Sequence, residues 1–131
     1  MLVQQLMALN PDAGRDRMLG ELPMGCYFDA NGLVVSWNLS CCRIAELPET
    51  FGDLMCTGGL LLSGNQLESL PRSFSTLSVG RSLILYDNKL RCLPPNFEKT
   101  RVGWNLRLGG NPELTGIPAE FPNVKGRVYR P

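Results

Sequence analysis

The chain has 131 residues, 44% of them apolar and 19% charged, the proportions of an ordinary folded domain rather than of a disordered chain. Thirteen Lys and Arg against 12 Asp and Glu leave a formal charge of +1, which gives no electrostatic case for binding a nucleic-acid backbone. There is no His, so the commonest general base, the usual zinc nitrogen ligand and every Ser-His or Cys-His nucleophile are missing.

In chain order, Leu2, Leu6 and Leu9 fall on one helical face, and Asn10-Pro11 has the form of an N-cap followed by proline at the first helical position. A second helical piece is expected over Pro11 to Leu19, with Gly14 weakening it and Gly20 ending it. Residues 1–26 are thus expected to form a short N-terminal helical cap over the remainder of the chain. The opening residues lack the basic start and unbroken apolar run of a secretory signal. No run approaches the ~20 apolar residues of a membrane span.

Tyr27 to Leu39 has a turn at Asp29-Ala30-Asn31-Gly32 between two apolar runs, which predicts a small hairpin. Beyond it one pattern recurs. Leu60, Leu62, Asn65, Leu67, Leu70, Pro71 and Phe74 are followed 23 positions later by Leu83, Leu85, Asn88, Leu90, Leu93, Pro94 and Phe97. The same positions one period earlier hold Trp37, Leu39, Cys42, Ile44, Leu47, Pro48 and Phe51. A fourth unit runs from Leu106 and Leu108 through Asn111 to Pro118 and Phe121, with one residue inserted between Asn111 and Pro118.

This L-x-L-x-x-N-x-L-x-x-L-P-x-x-F pattern resembles the leucine-rich repeat, whose unit buries its apolar side only by stacking on neighbours of the same kind. The segment before the first unit, and the L-T-G-x-P phrase at Leu114 to Pro118, are similar to plant-type members of that family. Phe28 stands where those members have a cysteine, and it also lies 23 residues before Phe51, so it reads equally as the spine residue of a degenerate first unit. The resemblance implies an α/β fold. The fold it implies is a right-handed solenoid with a short curved parallel sheet of four to five strands and a convex side of loops and 3-10 turns. It also implies that Asn65, Asn88 and Asn111 turn inward to bond backbone groups at the bend after each strand, and that Cys42 makes a looser rung.

The array is expected over residues 27–121, with strands at 37–39, 60–62, 83–85 and 106–108. Residues 122–131 are expected to be a tail able to hold one more short strand at 127–129 but not to cap the array, leaving Leu106, Leu108, Leu114 and Ile117 uncovered. Side chains alternate along a strand, so Asn38, Leu61, Ile84 and Arg107 form one outward column. Ser40, Ser63, Tyr86 and Gly109 form a second, and Cys41, Gly64, Asp87 and Gly110 a third. Exposed aliphatics and a tyrosine in adjacent strands make the kind of patch that marks an interface. Trp104 lies in line with Val35, Gly58 and Arg81, and either anchors a partner or packs on Arg81.

The expected partner-binding set is therefore Asn38, Leu61, Ile84, Tyr86, Asp87, Trp104 and Arg107. Asp53, Glu68, Asp87, Glu98, Glu113 and Glu120 fall in different columns of the repeat, so no carboxylate pair suggests acid-base work. No catalytic residue, metal or cofactor is expected. The five cysteines include no C-x-x-C pair; Cys42 and Cys56 sit at core positions, which favours a reducing, intracellular compartment. The expected function is non-catalytic protein binding, as a scaffold or accessory subunit of a larger assembly. The alternatives are a free adaptor or a receptor-like recognition fragment that binds a protein or peptide on its concave face and, remotely, an enzyme.

Overall fold

The computed structural model describes residues 25–31 and 34–131. The two expected N-terminal helices lie outside these residues. The cap boundary at 26 shifts, because Gly25 and Cys26 already belong to strand β1 (Gly25–Phe28). Strand β2 (Val34–Asn38) pairs with it antiparallel across the expected turn, with Cys26 opposite Trp37 and an irregularity between Tyr27 and Phe28.

From β2 onward the pairing is parallel and the period of the sequence becomes the register of the sheet. Trp37 lies opposite Leu60 in β4 (Leu60–Leu61), Leu60 opposite Leu83 in β6 (Leu83–Ile84), and Leu83 opposite Leu106 in β8 (Leu106–Arg107). The last strand, β9 (Val128–Tyr129), pairs with β8. Together these make a six-stranded sheet in the order β1-β2-β4-β6-β8-β9. A second sheet, which the sequence pattern does not announce, joins β3 (Met55–Cys56), β5 (Ser78–Val79) and β7 (Arg101–Val102), also in parallel. The described residues thus combine parallel-rich sheet with short helical turns, compatible with the α/β class, and neither sheet closes on itself.

The helical turns are 3-10 in type, at Glu49–Asp53, Arg72–Thr76 and Phe97–Lys99. Proline sets them up. Pro48, Pro71 and Pro94 each accept a hydrogen bond at their carbonyl from the amide of the phenylalanine three residues on, at 2.9, 3.1 and 3.2 Å. A fixed φ holds the chain extended up to the turn, and the bond then swings the phenylalanine inward.

Those phenylalanines are the spine. Phe51, Phe74, Phe97 and Phe121 are buried in one row, with ring centroids 5.6, 6.4 and 6.0 Å apart, and Trp37 meets Phe51 edge-on at 5.6 Å. Each such contact adds about 0.5–1.5 kcal/mol beyond the area it buries. Phe28 is excluded from the row: it is 39% exposed, and Trp37 occupies the end position. The alternative that made it a spine residue is therefore overturned.

The asparagines form a second row, bonded across turns. Asn65 Nδ2 donates to the carbonyls of Leu39 and Leu62 at 2.9 Å, and its Oδ1 accepts from the amides of Cys42 and Ile44 at 3.0 Å. Asn88 and Asn111 repeat the scheme one and two turns later. Each buried side chain thus satisfies backbone groups at the bend that no strand reaches. Cys42 Sγ donates to the Ser40 carbonyl at 3.4 Å, and the side chain is half-buried against the core rather than within it.

The C-terminal expectation needs correction. Leu106, Leu108 and Leu114 are buried and Ile117 half-buried, because residues 122–131 are built into the fold rather than trailing from it. Val124 bridges to Val102, and the Lys125 amide donates to the Val102 carbonyl at 3.0 Å. Leu106 and Leu108 then donate to the carbonyls of Arg127 and Tyr129, at 2.9 and 2.8 Å. Phe121 lies 24 positions after Phe97, yet Val128 lies only 22 after Leu106. The last turn is tightened between Phe121 and Val124, which lets ten residues complete it.

Candidate functional site

The register puts Asn38, Leu61, Ile84 and Arg107 side by side on the outward face of the six-stranded sheet, and β9 adds Tyr129 beside Arg107. Their exposure is uneven. Leu61 and Ile84, expected to be exposed, are half-buried, each flanked on both sides by a neighbouring strand. Asn38 is half-buried too, and its Oδ1 accepts from the Ser40 amide at 3.2 Å. The apolar patch is therefore a low floor rather than a raised stripe.

The exposed contacts stand at the C-terminal end of that floor. Tyr86 is 51% exposed and its ring lies over Gly109, where a Cβ would sit 3.3 Å from Cδ1. Any larger residue at 109 would push the ring away. Tyr129 is 36% exposed, and the Arg107 guanidinium lies 4.3 Å from its centroid, a stack that holds the arginine flat against the sheet. Tyr129 is the binding candidate that sequence reasoning missed. The signal was present, since Val128-Tyr129 repeats the inward-outward alternation of Leu106-Arg107, but only the pairing of β9 makes it part of this face.

Asp87 is exposed at the bend after β6 with φ of 58°. The equivalent positions are Gly64 and Gly110, at 68° and 67°, and Cys41, at 56°. The bend requires the left-handed region, which glycine enters freely and Asp at modest cost. Trp104 is 58% exposed, two residues before β8. Its main chain is tied on both sides, the amide to the Arg81 carbonyl at 3.0 Å and the carbonyl to the Gly126 amide at 2.7 Å. Among the described residues, the guanidinium groups found over rings are those of Arg107, on Tyr129, and Arg130, on Phe121. Trp104 is thus not covered by Arg81.

Along the strand direction Trp104 and the Tyr86–Gly109 row are five positions apart, roughly 16 Å. Tyr86 and Arg107 stand over the floor of Leu61 and Ile84, whereas Trp104, two residues before the inward-facing Leu106, is exposed where the chain enters β8. Seven candidate residues thus divide into three raised groups, Tyr86, Trp104 and Arg107, a floor of Leu61 and Ile84, and two flanking polar positions, Asn38 and Asp87.

The thiols behave as apolar side chains. Burial, with the neighbouring Cys56 second, pushes Cys26 far up, and burial pushes Cys56 up to about 11, so both stay protonated at neutral pH. Cys56 Sγ also donates to the Val35 carbonyl at 3.1 Å. Burial and the adjacent Cys41 raise Cys42. Among the described residues no three His, Cys, Asp or Glu side chains are grouped to hold a metal ion, and no helix is long and apolar enough to cross a membrane.

No family model, curated protein or solved structure matches this chain.

Proposed function

We propose that the chain is a leucine-rich repeat protein, a right-handed solenoid that binds a protein segment without catalysis on the outward face of its six-stranded sheet. The observation that carries this reading is the exposed group of Tyr86, Tyr129 and the Arg107 stacked on Tyr129, on the outward face of the sheet. Two exposed aromatics and a stacked arginine are the side chains that dominate interface energies, here mounted on paired strands over a half-buried aliphatic floor. Nothing in the repeat pattern calls for an aromatic residue at the Tyr86 position, where the neighbouring turns carry Ser63 and Gly109.

The 23-residue register of Trp37, Leu60, Leu83 and Leu106, together with the phenylalanine and asparagine rows, supports the repeat assignment. The buried, protonated thiols of Cys26 and Cys56 suit a reducing, intracellular compartment. An uncovered C-terminal turn would favour a built-in accessory subunit. Since β9 covers that turn, capture of a partner on the sheet face is the better-supported version.

The test is site-specific photocrosslinking. A crosslinking residue at Arg107 is expected to trap a protein that the same residue at Glu68, off this face, does not. Tyr86→Ala should then weaken binding of that protein by about 1 to 3 kcal/mol while leaving the unfolding midpoint nearly unchanged. Equal affinity for Tyr86→Ala and the parent would overturn the assignment of this face.

A further inference from the structure

The smaller sheet carries a feature that protein capture on the larger one does not use. In β5 and β7, Val79 and Val102 point inward and are buried, while Ser78 and Arg101 point outward. Over this outer side run two adjoining depressions. One, of about 360 Å³, is lined by Ser78, Gly80, Arg101, Gly103, Asn123 and Lys125, with the two valines beneath. The other is lined by Ser75, Thr76, Lys99, Arg101 and Asn123. They share Arg101 and Asn123, so they form one shallow groove.

We infer that this groove is a binding site for a phosphate monoester, with Lys99, Arg101 and Lys125 supplying the charge and Ser75 and Ser78 supplying hydroxyl donors. No carboxylate lines it. Among the described residues the ion pair is Glu68 with Arg91, and none engages the three groove cations. Thr76 Oγ1 already donates to the Ser73 carbonyl at 2.8 Å, and Asn123 Nδ2 to the Lys99 carbonyl at 3.1 Å. The uncommitted groups are therefore three cations and two hydroxyls, donors that match an anion offering only acceptor oxygens. A monoester carries close to two negative charges at neutral pH, which three cations balance with one to spare.

The fold does not explain this clustering. The positions of Lys99 and Arg101 are held two turns earlier by Asp53 and Met55 and one turn earlier by Thr76 and Ser78. These outward positions accept acid, apolar or neutral side chains equally, yet cations gather at one end of a chain whose net charge is only +1. What the geometry does fix is the floor: a Cβ on Gly80 would collide with the Thr57 carbonyl, and one on Gly103 with that of Gly80. The bottom of the groove is backbone, and the charges stand around it.

A phosphorylated peptide fits this better than a bilayer. The turn that carries Lys99 also carries Glu98, and the equivalent turn two periods earlier carries Glu49 and Asp53. An anionic membrane would have to face those carboxylates, whereas one phosphate in the recess meets only the cations.

The experiment uses the whole chain, labelled with ¹⁵N and titrated with inorganic phosphate against sodium chloride of matched ionic strength. Phosphate is expected to shift the amides of Ser78, Arg101, Gly103 and Lys125 and to raise the melting temperature, with chloride doing neither. Arg101→Gln should weaken this binding about tenfold, as expected for loss of one charge-assisted contact, and exposed Arg91→Gln should not change it. Lys125→Gln serves as a second variant if the first is poorly folded. A phosphoserine peptide should bind at least tenfold more tightly than its unphosphorylated form. Shifts scattered outside the groove, an equal response to chloride, or binding to phosphatidylserine vesicles without discrimination between the two peptides would each overturn the proposal. None of these outcomes touches the Tyr86 strip, which lies on the other sheet.

Discussion

The two ends of the ladder are finished by different means. At the N-terminal end β1 runs antiparallel to β2, the spine ends in Trp37, and a thiol replaces the asparagine. At the C-terminal end the asparagine and phenylalanine rows continue through Asn111 and Phe121, and the closing strand β9 is parallel, reached by a shortened turn. An antiparallel hairpin fixes its own edge locally, so the first turn stands without an inward asparagine of its own, its bend amides at Cys42 and Ile44 being bonded by Asn65 of the next turn. The last turn has no such hairpin, and it depends on the asparagine row and on the strand that closes it.

The contrast is tested most severely by paired alanine substitutions. Asn111 Nδ2 donates to the carbonyls of Leu85, Leu108 and Gly109, and its Oδ1 accepts from the Leu90 amide. Asn111→Ala leaves several buried groups unsatisfied and should cost roughly 3 to 4 kcal/mol in urea unfolding. Cys42→Ala should cost less than about 1 kcal/mol, since the thiol bond it removes is weak. Equal losses at the two positions would end the distinction.

Alkaline pH should act at the N-terminal end. Cys56 keeps its proton up to about pH 11 when folded but releases it near 9 once exposed, so the unfolded chain holds fewer protons in that window. Stability is therefore complete below pH 9 and falls as pH rises from 9 to 11, by about 2 to 3 kcal/mol. Unfolding midpoints across this range should show the decline, to which the buried Cys26 thiol adds in the same direction, so Cys56→Ala should reduce it without abolishing it while lowering stability at neutral pH.

The smallest effect is expected at β9. Tyr129→Ala removes the stack with Arg107 and should cost about 0.5 to 1 kcal/mol. It should speed amide exchange at Leu106 and Leu108, which donate to β9, and leave Leu60 and Leu83 unaffected. Uniform acceleration across all four would mean that the last turn is not separately supported.

Much of this organisation is determined by the sequence alone. The spacing of Leu60, Leu83 and Leu106, of the three asparagines and of the four phenylalanines is a covalent property of the chain. Because parallel pairing places equivalent residues opposite one another, the period in sequence becomes the register in space. The hairpin before Trp37 was legible for a similar reason, since its turn residues act locally.

Other features were decided only by the tertiary structure. Strands of two residues, such as β3, β5 and β7, carry too little alternation to be recognised, and they exist only because each turn lays them beside the next. The half-burial of Leu61 and Ile84 depends on neighbours from other turns, as does the placing of Tyr129 beside Arg107. That residues 122–131 cover Leu106 and Leu108, against the uncovered end expected from the sequence, was likewise decided by the fold. The tightened turn after Phe121 settles it, because the short step from Phe121 to Val124 brings the tail into line with β8.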